Sequence, residues 1–314
     1  MGPYSLSTMR KETGAPYRIE SLSELHRLLG LPGPLHPLIS LINNQDVKVR
    51  PNENFPDQFI LSFYKIVYQP HLQAKLKYGQ RYYDFEEGGL FFMAPNQLSG
   101  TKDKTIDYSG FTLFIHPDFL QPYPLAKTIK SYGFFSYQVS EMLHLSQKEQ
   151  ETVLSLARSI EEELTSRIDD SSQDVIMAQI ELLLTYSQRF YKRQFLTRKA
   201  VNHELLQKLD DWLEHHFEAQ LSLGQGLPTV QLVARMLDVS PGYLSDMLRL
   251  LTGQNAQQHI HQKLIERAKE KLATTRLTVS QIAYDLGFEH PQSFSTLFKA
   301  KTNLSPLAYR QSFN

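Results

Sequence analysis

The chain has 314 residues, 41% hydrophobic and 21% charged, a composition typical of a soluble globular protein long enough for two domains. It contains no cysteine, which excludes disulfides, thiolate metal sites and cysteine nucleophiles. The formal net charge is zero. Residues 1–16 lack the apolar core of a signal peptide, and no apolar run approaches the roughly 18 residues of a membrane span. We therefore expect a cytoplasmic location and no membrane partner.

The first half of the chain is predicted to be rich in β-strands between residues 55 and 116. A short helix is expected before this region, because Leu22, Leu25 and Leu28 lie at helical spacing. Residues 58–68 are dominated by β-branched and aromatic side chains, and shorter stretches of the same kind follow, separated by Gly, Pro, Asn and Asp. Short strands with such breaks predict a small antiparallel sandwich or barrel.

Two amphipathic helices are predicted after the strands, within residues 146–196. One apolar stripe runs from Val153 to Leu164 and another from Ile176 to Phe190, each at the helical period. These helices can cap the β-rich core or serve in dimerisation, and the sequence alone leaves both open. We therefore predict an α+β protein with a sensing or dimerisation domain over residues 1–197 and an all-α domain over residues 198–314.

The predicted all-α domain contains one hydrophobic pattern twice, about 50 residues apart. Each copy precedes a short turn and a second apolar stripe, which predicts helix-turn-helix units over residues 229–252 and 279–301. A connecting helix is predicted over residues 256–273. At 1.5 Å per residue it is about 27 Å long, enough to hold two recognition helices about one DNA turn, ~34 Å, apart. The pattern is Val230, Val233, Ala234 and Leu237 in the first copy, and Val279, Ile282, Ala283 and Leu286 in the second.

The residues between the paired helices are suited to tight turns. Thr229 and Ser240 are predicted N-caps, and Asp238 lies at the first bend, where aspartate tolerates a left-handed backbone. In the second copy Ser280 lies near the start of the pair and Gly287 is the predicted bend. The first helices align at an offset of 49 and the second helices at 50, so the second turn is predicted to be one residue longer.

The charges are distributed unevenly along the chain. Residues 221–314 contain ten Lys and Arg against six Asp and Glu, whereas residues 1–220 contain 23 against 27. A basic C-terminal part on a mildly acidic body is the asymmetry expected when one end of a protein meets phosphate.

The solvent faces of the second helices are the candidates for reading DNA bases. Glutamine suits adenine and aspartate accepts from cytosine in the major groove, whereas lysine and arginine suit phosphates. We identify no catalytic residue, metal ligand, cofactor or effector-binding residue. The predicted base-reading residues are Gly242, Tyr243, Ser245 and Asp246 in the first copy and His290, Gln292, Ser295 and Thr296 in the second, and the predicted phosphate contacts are Arg249, Lys299, Lys301 and Arg310.

Two sets of residues in the C-terminal part form a recognisable pattern. They are Leu232-Val233-Ala234, Leu237 to Ser240, Tyr243-Leu244-Ser245 and Thr252-Gly253, and then Ile282-Ala283, Leu286-Gly287-Phe288, Ser293-Phe294, Phe298-Lys299, Ser305-Pro306 and Tyr309-Arg310. Through these residues, residues 202–314 resemble the DNA-binding domain of the AraC/XylS transcriptional regulators. The resemblance implies a domain that binds double-stranded DNA through two helix-turn-helix motifs joined by a long helix and acts in transcription initiation, with RNA polymerase as a partner.

Parts of the chain depart from that family pattern or match it less. Asp246 and Thr296 stand where the family often has a basic residue, Asn303 replaces a common glycine, and residues 224–228 look like an insertion. The N-terminal half, with the stretch at residues 89–97, is similar to the cupin-like domain of many relatives. That similarity implies a homodimer and leaves control by a small-molecule effector open.

The sequence lacks the residues that several other classes of protein require. A cupin-type metal enzyme fused to a DNA-binding tail would use a His-x-His pair on a strand, but His259 and His261 lie on a predicted helix, and His71 and His116 have no nearby histidine. A DNA-repair methyltransferase needs a cysteine, and no nucleophile elbow or P-loop occurs. A regulator without any ligand stays open, because the aromatic side chains of the strands can be packed core. We expect a regulator that is not an enzyme.

Overall fold

The computed structural model describes residues 16–47, 55–56, 58–71, 76–78, 81–83, 88–100, 109–166, 171–218 and 226–313. It divides into two compact units. Unit 1 comprises Met1–Gln73, Glu86–Ile129 and Leu145–Leu183, and unit 2 comprises Ala74–Phe85, Lys130–His144 and Leu184–Asn314. This division differs from the predicted boundary at residues 197/198, because residues 130–144 and those from Leu184 onward pack with the C-terminal helices.

Unit 1 contains most of the β-structure. The described strands, in chain order, are β1 (Tyr17–Ile19), β2 (Ile39–Asn43), β3 (Gln58–Leu61), β4 (Tyr64–Gln69), β5 (Leu76–Tyr78), β6 (Arg81–Tyr83), β7 (Gly89–Met93), β8 (Leu98–Gly100), β9 (Phe111–Ile115) and β10 (Leu143–His144). In unit 1, β2, β9, β4 and β7 lie side by side in that order, each antiparallel to its neighbour. A second sheet has the order β1-β3-β8. β5 and β6, which belong to unit 2, pair with each other.

The prediction of strands between residues 55 and 116 is confirmed. Alternation explains the sheet: in β4, Tyr64, Ile66 and Tyr68 are buried while the residues between them are partly exposed. One feature differs from the expected antiparallel arrangement, since β1 is parallel to β3. The apolar cluster of this unit comprises Ile19, Leu22, Leu25, Ile42, Phe59, Leu61, Phe63 and Phe114.

The predicted amphipathic helices are also confirmed. The described helices, in chain order, are α1 (Leu22–Leu28), α2 (Pro117–Leu120), α3 (Leu125–Thr128), α4 (Gln147–Thr165), α5 (Ser172–Thr197), α6 (Lys199–Glu218), α7 (Val230–Met236), α8 (Pro241–Thr252), α9 (Ala256–Thr274), α10 (Val279–Asp285), α11 (Pro291–Thr302) and α12 (Pro306–Gln311). α4 begins with a capping box between Ser146 and Glu149 and buries Val153 and Ile160. No described helix is long and apolar enough to cross a membrane.

Helix α9 lies at the centre of the C-terminal part of unit 2. It contacts α6, α8, α10 and α12, and its predicted apolar face is buried. Its start is fixed by a capping box in which Asn255 and Gln258 bond each other's backbone N–H groups. Asp210 of α6 binds two side chains of α9: His259 Nε2 lies 2.7 Å from Asp210 Oδ1 and Lys263 Nζ lies 3.0 Å from Oδ2. The connecting helix is therefore a packed core element rather than a free linker.

Candidate nucleic-acid interface

The first helix-turn-helix unit has the predicted turn. Thr229 Oγ1 accepts a hydrogen bond from the Leu232 backbone N–H at 3.2 Å, so Thr229 is the N-cap of α7. Asp238 has a φ of 56°, the left-handed conformation predicted for the bend. Ser240 Oγ accepts from the Tyr243 N–H at 3.1 Å and caps α8, whose first residue is Pro241. Local sequence therefore sets the angle at which α8 leaves the turn.

The second unit has the same design with different residues. Its N-cap is Thr278, which forms a capping box with Gln281, whereas Ser280, expected near the start, lies within the first turn of α10. Gly287 has a φ of 91° and forms the predicted bend. Residues 286–290 join α10 to α11 and residues 237–240 join α7 to α8, so the second turn is one residue longer, as predicted.

The outer face of α11 is open to solvent. Gln292, Thr296 and Lys299 are exposed and lie three to four residues apart, which places them on one face of the helix. Ser295 lies beside them and is partly exposed. His290 is exposed at the N-cap and makes no capping hydrogen bond with its side chain. The predicted base-reading residues of the second unit are thus brought together on an accessible surface.

The equivalent face of α8 is covered near the start of the helix, where Gly242 and Asp246 are only partly exposed. Tyr243 is only 1% exposed, so the expectation that it lies on the solvent face is wrong. Its ring packs on the rings of Tyr137, with centroids 5.4 Å apart, and Phe195, at 5.0 Å. Tyr137 belongs to two short 3₁₀ turns and their flanks, residues 133–141, which we call the covering segment.

The covering segment also contacts Gly242 and Asp246, two further predicted base-reading residues near the start of α8. The Tyr137 hydroxyl donates to Asp246 Oδ2 at 2.7 Å, and Arg249 Nη1 donates to Asp246 Oδ1 at 2.6 Å. A Cβ atom added to Gly242 would lie 2.5 Å from Ser136 Oγ, which shows how closely the segment approaches the helix. Ser245 is partly exposed.

A buried carboxylate joins the covering segment to the cap of α8. Glu141 is 2% exposed. Its Oε1 accepts from the Ser240 N–H and its Oε2 from the Ser240 hydroxyl, both at 2.6 Å, and Oε2 also accepts from the Gln138 N–H at 2.7 Å. Burial raises the pKa of Glu141, and these hydrogen bonds oppose the rise. Sequence reasoning missed this residue; the only signal was a run of aromatic residues, Phe134 to Tyr137, outside any predicted element.

The predicted phosphate contacts differ in accessibility. Lys299 and Lys301 are exposed, and the Arg249 side chain is 58% exposed although it pairs with Asp246. Arg310 is only partly exposed, and its Nε donates to the Leu272 carbonyl at the end of α9 at 3.1 Å. Arg310 therefore has a structural contact that the sequence did not predict.

Beside the first turn the surface is acidic, in contrast to the basic residues predicted to contact phosphates. A cavity of about 680 Å³ in unit 2 is lined by side chains of α6, the first turn and Glu141. Its charged lining is mostly acidic, with Glu141, Glu204, Asp211 and Asp238 against Lys208. Because carboxylates repel phosphates, this side of the unit is unsuited to face DNA.

Within the described residues no group of three or more His, Cys, Asp or Glu side chains is arranged to hold a metal ion. His259 is bonded to Asp210, and His116 is the N-cap of α2, accepting from the Asp118 N–H. Two of the histidines weighed as metal ligands therefore have structural partners.

Comparisons with known proteins agree with the two helix-turn-helix units. Residues 233–312 match the family described as Helix-turn-helix domain. Regulatory protein SoxS of Salmonella typhimurium is 30% identical over 107 residues, covering 34% of this chain and 94% of SoxS. The HTH-type transcriptional activator RhaS of Salmonella schwarzengrund is 30% identical over 149 residues, 47% of this chain and 51% of RhaS. The solved C-terminal domain of AraT, a response regulator from Geobacillus stearothermophilus, is 30% identical, covering 34% of this chain and 84% of that one, with a TM-score of 0.31.

The paired units on one helical core, together with the family match and the similarity to SoxS, define a tandem helix-turn-helix domain of a DNA-binding transcriptional regulator. The chain covers almost all of SoxS. It belongs to the AraC/XylS family, which confirms the resemblance carried by residues 202–314.

Proposed function

We propose that the protein recognises a DNA site made of two short elements about one helical turn apart, one for each recognition helix. The connecting helix carries this proposal. α9 has 19 residues and, at 1.5 Å per residue, is about 28 Å long, close to the ~34 Å between successive major-groove segments on one face of DNA. It packs against α8 of the first unit and α10 of the second, which favours a fixed spacing.

In this proposal the second recognition helix, α11, reads bases through Gln292 and Thr296, with Ser295 and His290 beside them. Lys299 and Lys301 bind phosphates on either side of the groove.

The first recognition helix, α8, contributes Ser245, Asp246 and the backbone near Gly242 to base reading, and Arg249 to phosphate. Tyr243 is left out because its side chain is buried, and Arg310 is assigned to holding α12 against α9.

The wider role proposed for the chain is regulation at a promoter in the cytoplasm, with RNA polymerase as a partner. The name of the relative RhaS, a transcriptional activator, supports this, and the chain spans about half of that protein. We also propose that unit 1 provides dimerisation and the response to a small-molecule effector. Site selection tests dimerisation together with the spacing, because a dimer enriches a doubled copy of the site.

The first experiment is selection of binding sites from random duplex DNA over a series of salt concentrations. Two short elements about one turn apart, ~34 Å, are expected. A single element in every enriched sequence, or no enrichment above non-specific binding at any salt concentration, contradicts the two-element proposal.

Substitutions on α11 separate base reading from phosphate binding. Gln292→Ala is expected to relax choice at one base pair and to cost about 1–3 kcal/mol on the selected site but little on random DNA. Lys299→Ala is expected to weaken binding to both DNAs and to lower the slope of log affinity against log salt by about 1. Fluorescence anisotropy with labelled duplexes measures both.

The matched controls are Gln207→Ala in α6 and Lys192→Ala in α5, which remove the same side-chain types from exposed positions. Both positions lie outside the two helix-turn-helix units, so neither control is expected to change DNA affinity or its salt dependence. Equal losses on selected and random DNA for both α11 variants would contradict the assignment of roles.

A further inference from the structure

We infer that the covering segment is a built-in autoinhibitory contact: it occludes the first recognition helix, and the chain must release it before both helices can bind DNA. This inference rests on the proposed function, because it concerns the first of the two reading helices. It adds a closed state in which only α11 is available and an open state in which α8 is available as well.

The occluded surface coincides with the part of a recognition helix that reads DNA. In helix-turn-helix proteins the residues at the N-terminal end of the recognition helix contact the base edges. At that end of α8, Tyr137 binds Asp246, Ser136 approaches Gly242, and Glu141 binds Ser240. Segment and DNA therefore compete for the same face of α8.

The internal repeat provides a comparison within one chain. At an offset of 50 residues, the four positions of α8 and its cap that contact the covering segment have different residues in the second unit. In the second unit Gln292 and Thr296 are exposed. In the first unit the corresponding residues, Gly242 and Asp246, are packed against residues 133–137. The pairs are Ser240 and His290, Gly242 and Gln292, Tyr243 and Ser293, and Asp246 and Thr296. The residues of α8 are thus specialised for contact with the covering segment. A DNA-binding role shared by both recognition helices does not require that specialisation.

Close approach of the two backbones depends on two glycines. A Cβ atom on Gly242 would lie 2.5 Å from Ser136 Oγ, and one on Gly133 would lie 2.1 Å from Asp246 Oδ2. Both separations are far below ordinary van der Waals contact, so a side chain at either position would require the side chain of Ser136 or Asp246 to move. A glycine on each side of the contact lets the segment lie directly on the helix.

The contact is polar enough to be reversible. Its hydrogen bonds include two acidic acceptors, Asp246 and Glu141, and such groups can exchange these partners for water when the segment leaves. The segment continues along the chain into unit 1 at both ends, through Ile129 and Leu145. A conformational change of unit 1 that draws on these ends would shift the population toward the open state.

A reversible covalent lock tests the inference directly. The chain has no cysteine, so Ser136→Cys combined with Gly242→Cys introduces one defined pair. Ser136 Oγ lies 2.5 Å from the position of a Cβ on residue 242, which places the two Cβ atoms within the ~3.5–4.5 Å range of a disulfide. The double variant is compared with itself, oxidised and reduced, and each single variant is carried through the same treatment.

Oxidation is expected to lower affinity for two-element DNA at least ten-fold and reduction to restore it. Affinity for DNA containing only the element of α11 is expected to stay the same in both states. Equal binding of two-element DNA by oxidised and reduced protein overturns the inference. The proposed function fails separately, if Gln292→Ala leaves selectivity on the same DNA unchanged.

Hydrogen exchange of the unmodified chain provides a second measurement that does not depend on engineered cysteines. Backbone amides of residues 133–141 are expected to exchange faster in the complex with two-element DNA than in the free protein. Unchanged protection of the segment in that complex would mean that the cover stays in place on DNA, and the inference would be wrong.

Two single substitutions test whether weakening the contact between the covering segment and α8 increases DNA affinity. Tyr137→Phe removes the hydroxyl that binds Asp246 and is expected to raise affinity for two-element DNA by up to about ten-fold. Tyr132→Phe, in the same region but with no hydrogen bond to α8 among the described contacts, is the matched control and is expected to leave affinity unchanged. A loss of affinity with Tyr137→Phe, or equal effects of the two variants, contradicts the inference.

Discussion

Glu141 determines how the contact between the covering segment and α8 responds to pH, because its carboxylate accepts the hydrogen bonds of Ser240, the N-cap of α8. Burial raises its pKa, and Asp238 across the first turn raises it further, whereas the donors on Ser240 and Gln138 lower it. Glu204, Asp211 and Lys208 of α6 line the same cavity. Because the proton binds more tightly to the covered carboxyl than to a released one, acidification favours the cover and a rise in pH through the elevated pKa favours release.

We therefore expect affinity for two-element DNA to rise with pH above the ordinary titration range of a glutamic acid, and to rise more steeply in the natural chain than in Glu141→Gln. Glutamine has similar size and no charge, so the variant removes the titration and keeps an acceptor oxygen for Ser240. Affinity for DNA with only the α11 element is the internal reference, since the described contacts of the covering segment with a recognition helix are those with α8 and its cap. A variant with the same pH profile as the natural chain would show that another group controls the equilibrium.

At the scale of elements, the second helix-turn-helix unit depends on its bend. Gly287 has a φ of 91°, a conformation that residues with a Cβ rarely adopt. Gly287→Ala is expected to cost about 1–2 kcal/mol of unfolding free energy and to weaken binding at the α11 element, because the bend sets the angle between α10 and α11. Thermal unfolding and DNA affinity measure the two effects.

The control for that substitution is Gly33→Ala. A Cβ atom on Gly33 would have no atom within 4 Å, so this substitution is expected to change neither stability nor DNA binding. If Gly287→Ala were equally neutral, the left-handed bend would not be needed to hold the second unit together.

The sequence predicted the helix-turn-helix elements well because their signals are local. Helical period, caps such as Ser240 and left-handed residues such as Asp238 act within a few positions of each other. The accessibility of α8 could not be predicted in this way. It depends on partners about 100 residues away in sequence, since Glu141 and Ser240 are separated by 99 positions and Tyr137 and Asp246 by 109. Long-range contacts of this kind leave no periodic pattern, and so Tyr243 was wrongly expected on the outer face.

For the whole molecule, acid stability of unit 2 is expected to depend on His144. Burial, together with the positive charges of Arg198 and Arg193, lowers the pKa of His144 to about 3. In the unfolded chain the imidazole titrates near its ordinary value, so below about pH 6.5 the unfolded state binds the extra proton and the folded state loses stability. Between about pH 7 and about pH 5 the loss amounts to ~2 kcal/mol.

Trp212 is the single tryptophan and lies in unit 2, so its fluorescence during denaturant unfolding follows that unit. His144→Gln is expected to have a smaller loss of unfolding free energy on acidification than the natural chain. The hydrogen bonds of the His144 backbone to Gln194 and Arg193 do not depend on its side chain and remain available in the variant. Parallel pH profiles for the two proteins would assign the acid sensitivity to other groups.

The unequal exposure of the two recognition helices affects how the protein searches a genome. With α11 open and α8 covered, an encounter with random DNA uses one reading helix, so each visit is brief and the protein moves on quickly. Where the DNA element for α8 lies at the right distance from the element for α11, contacts between α8 and DNA compensate for displacing the covering segment. Dwell time, rather than the rate of arrival, then separates the true site from its many partial copies.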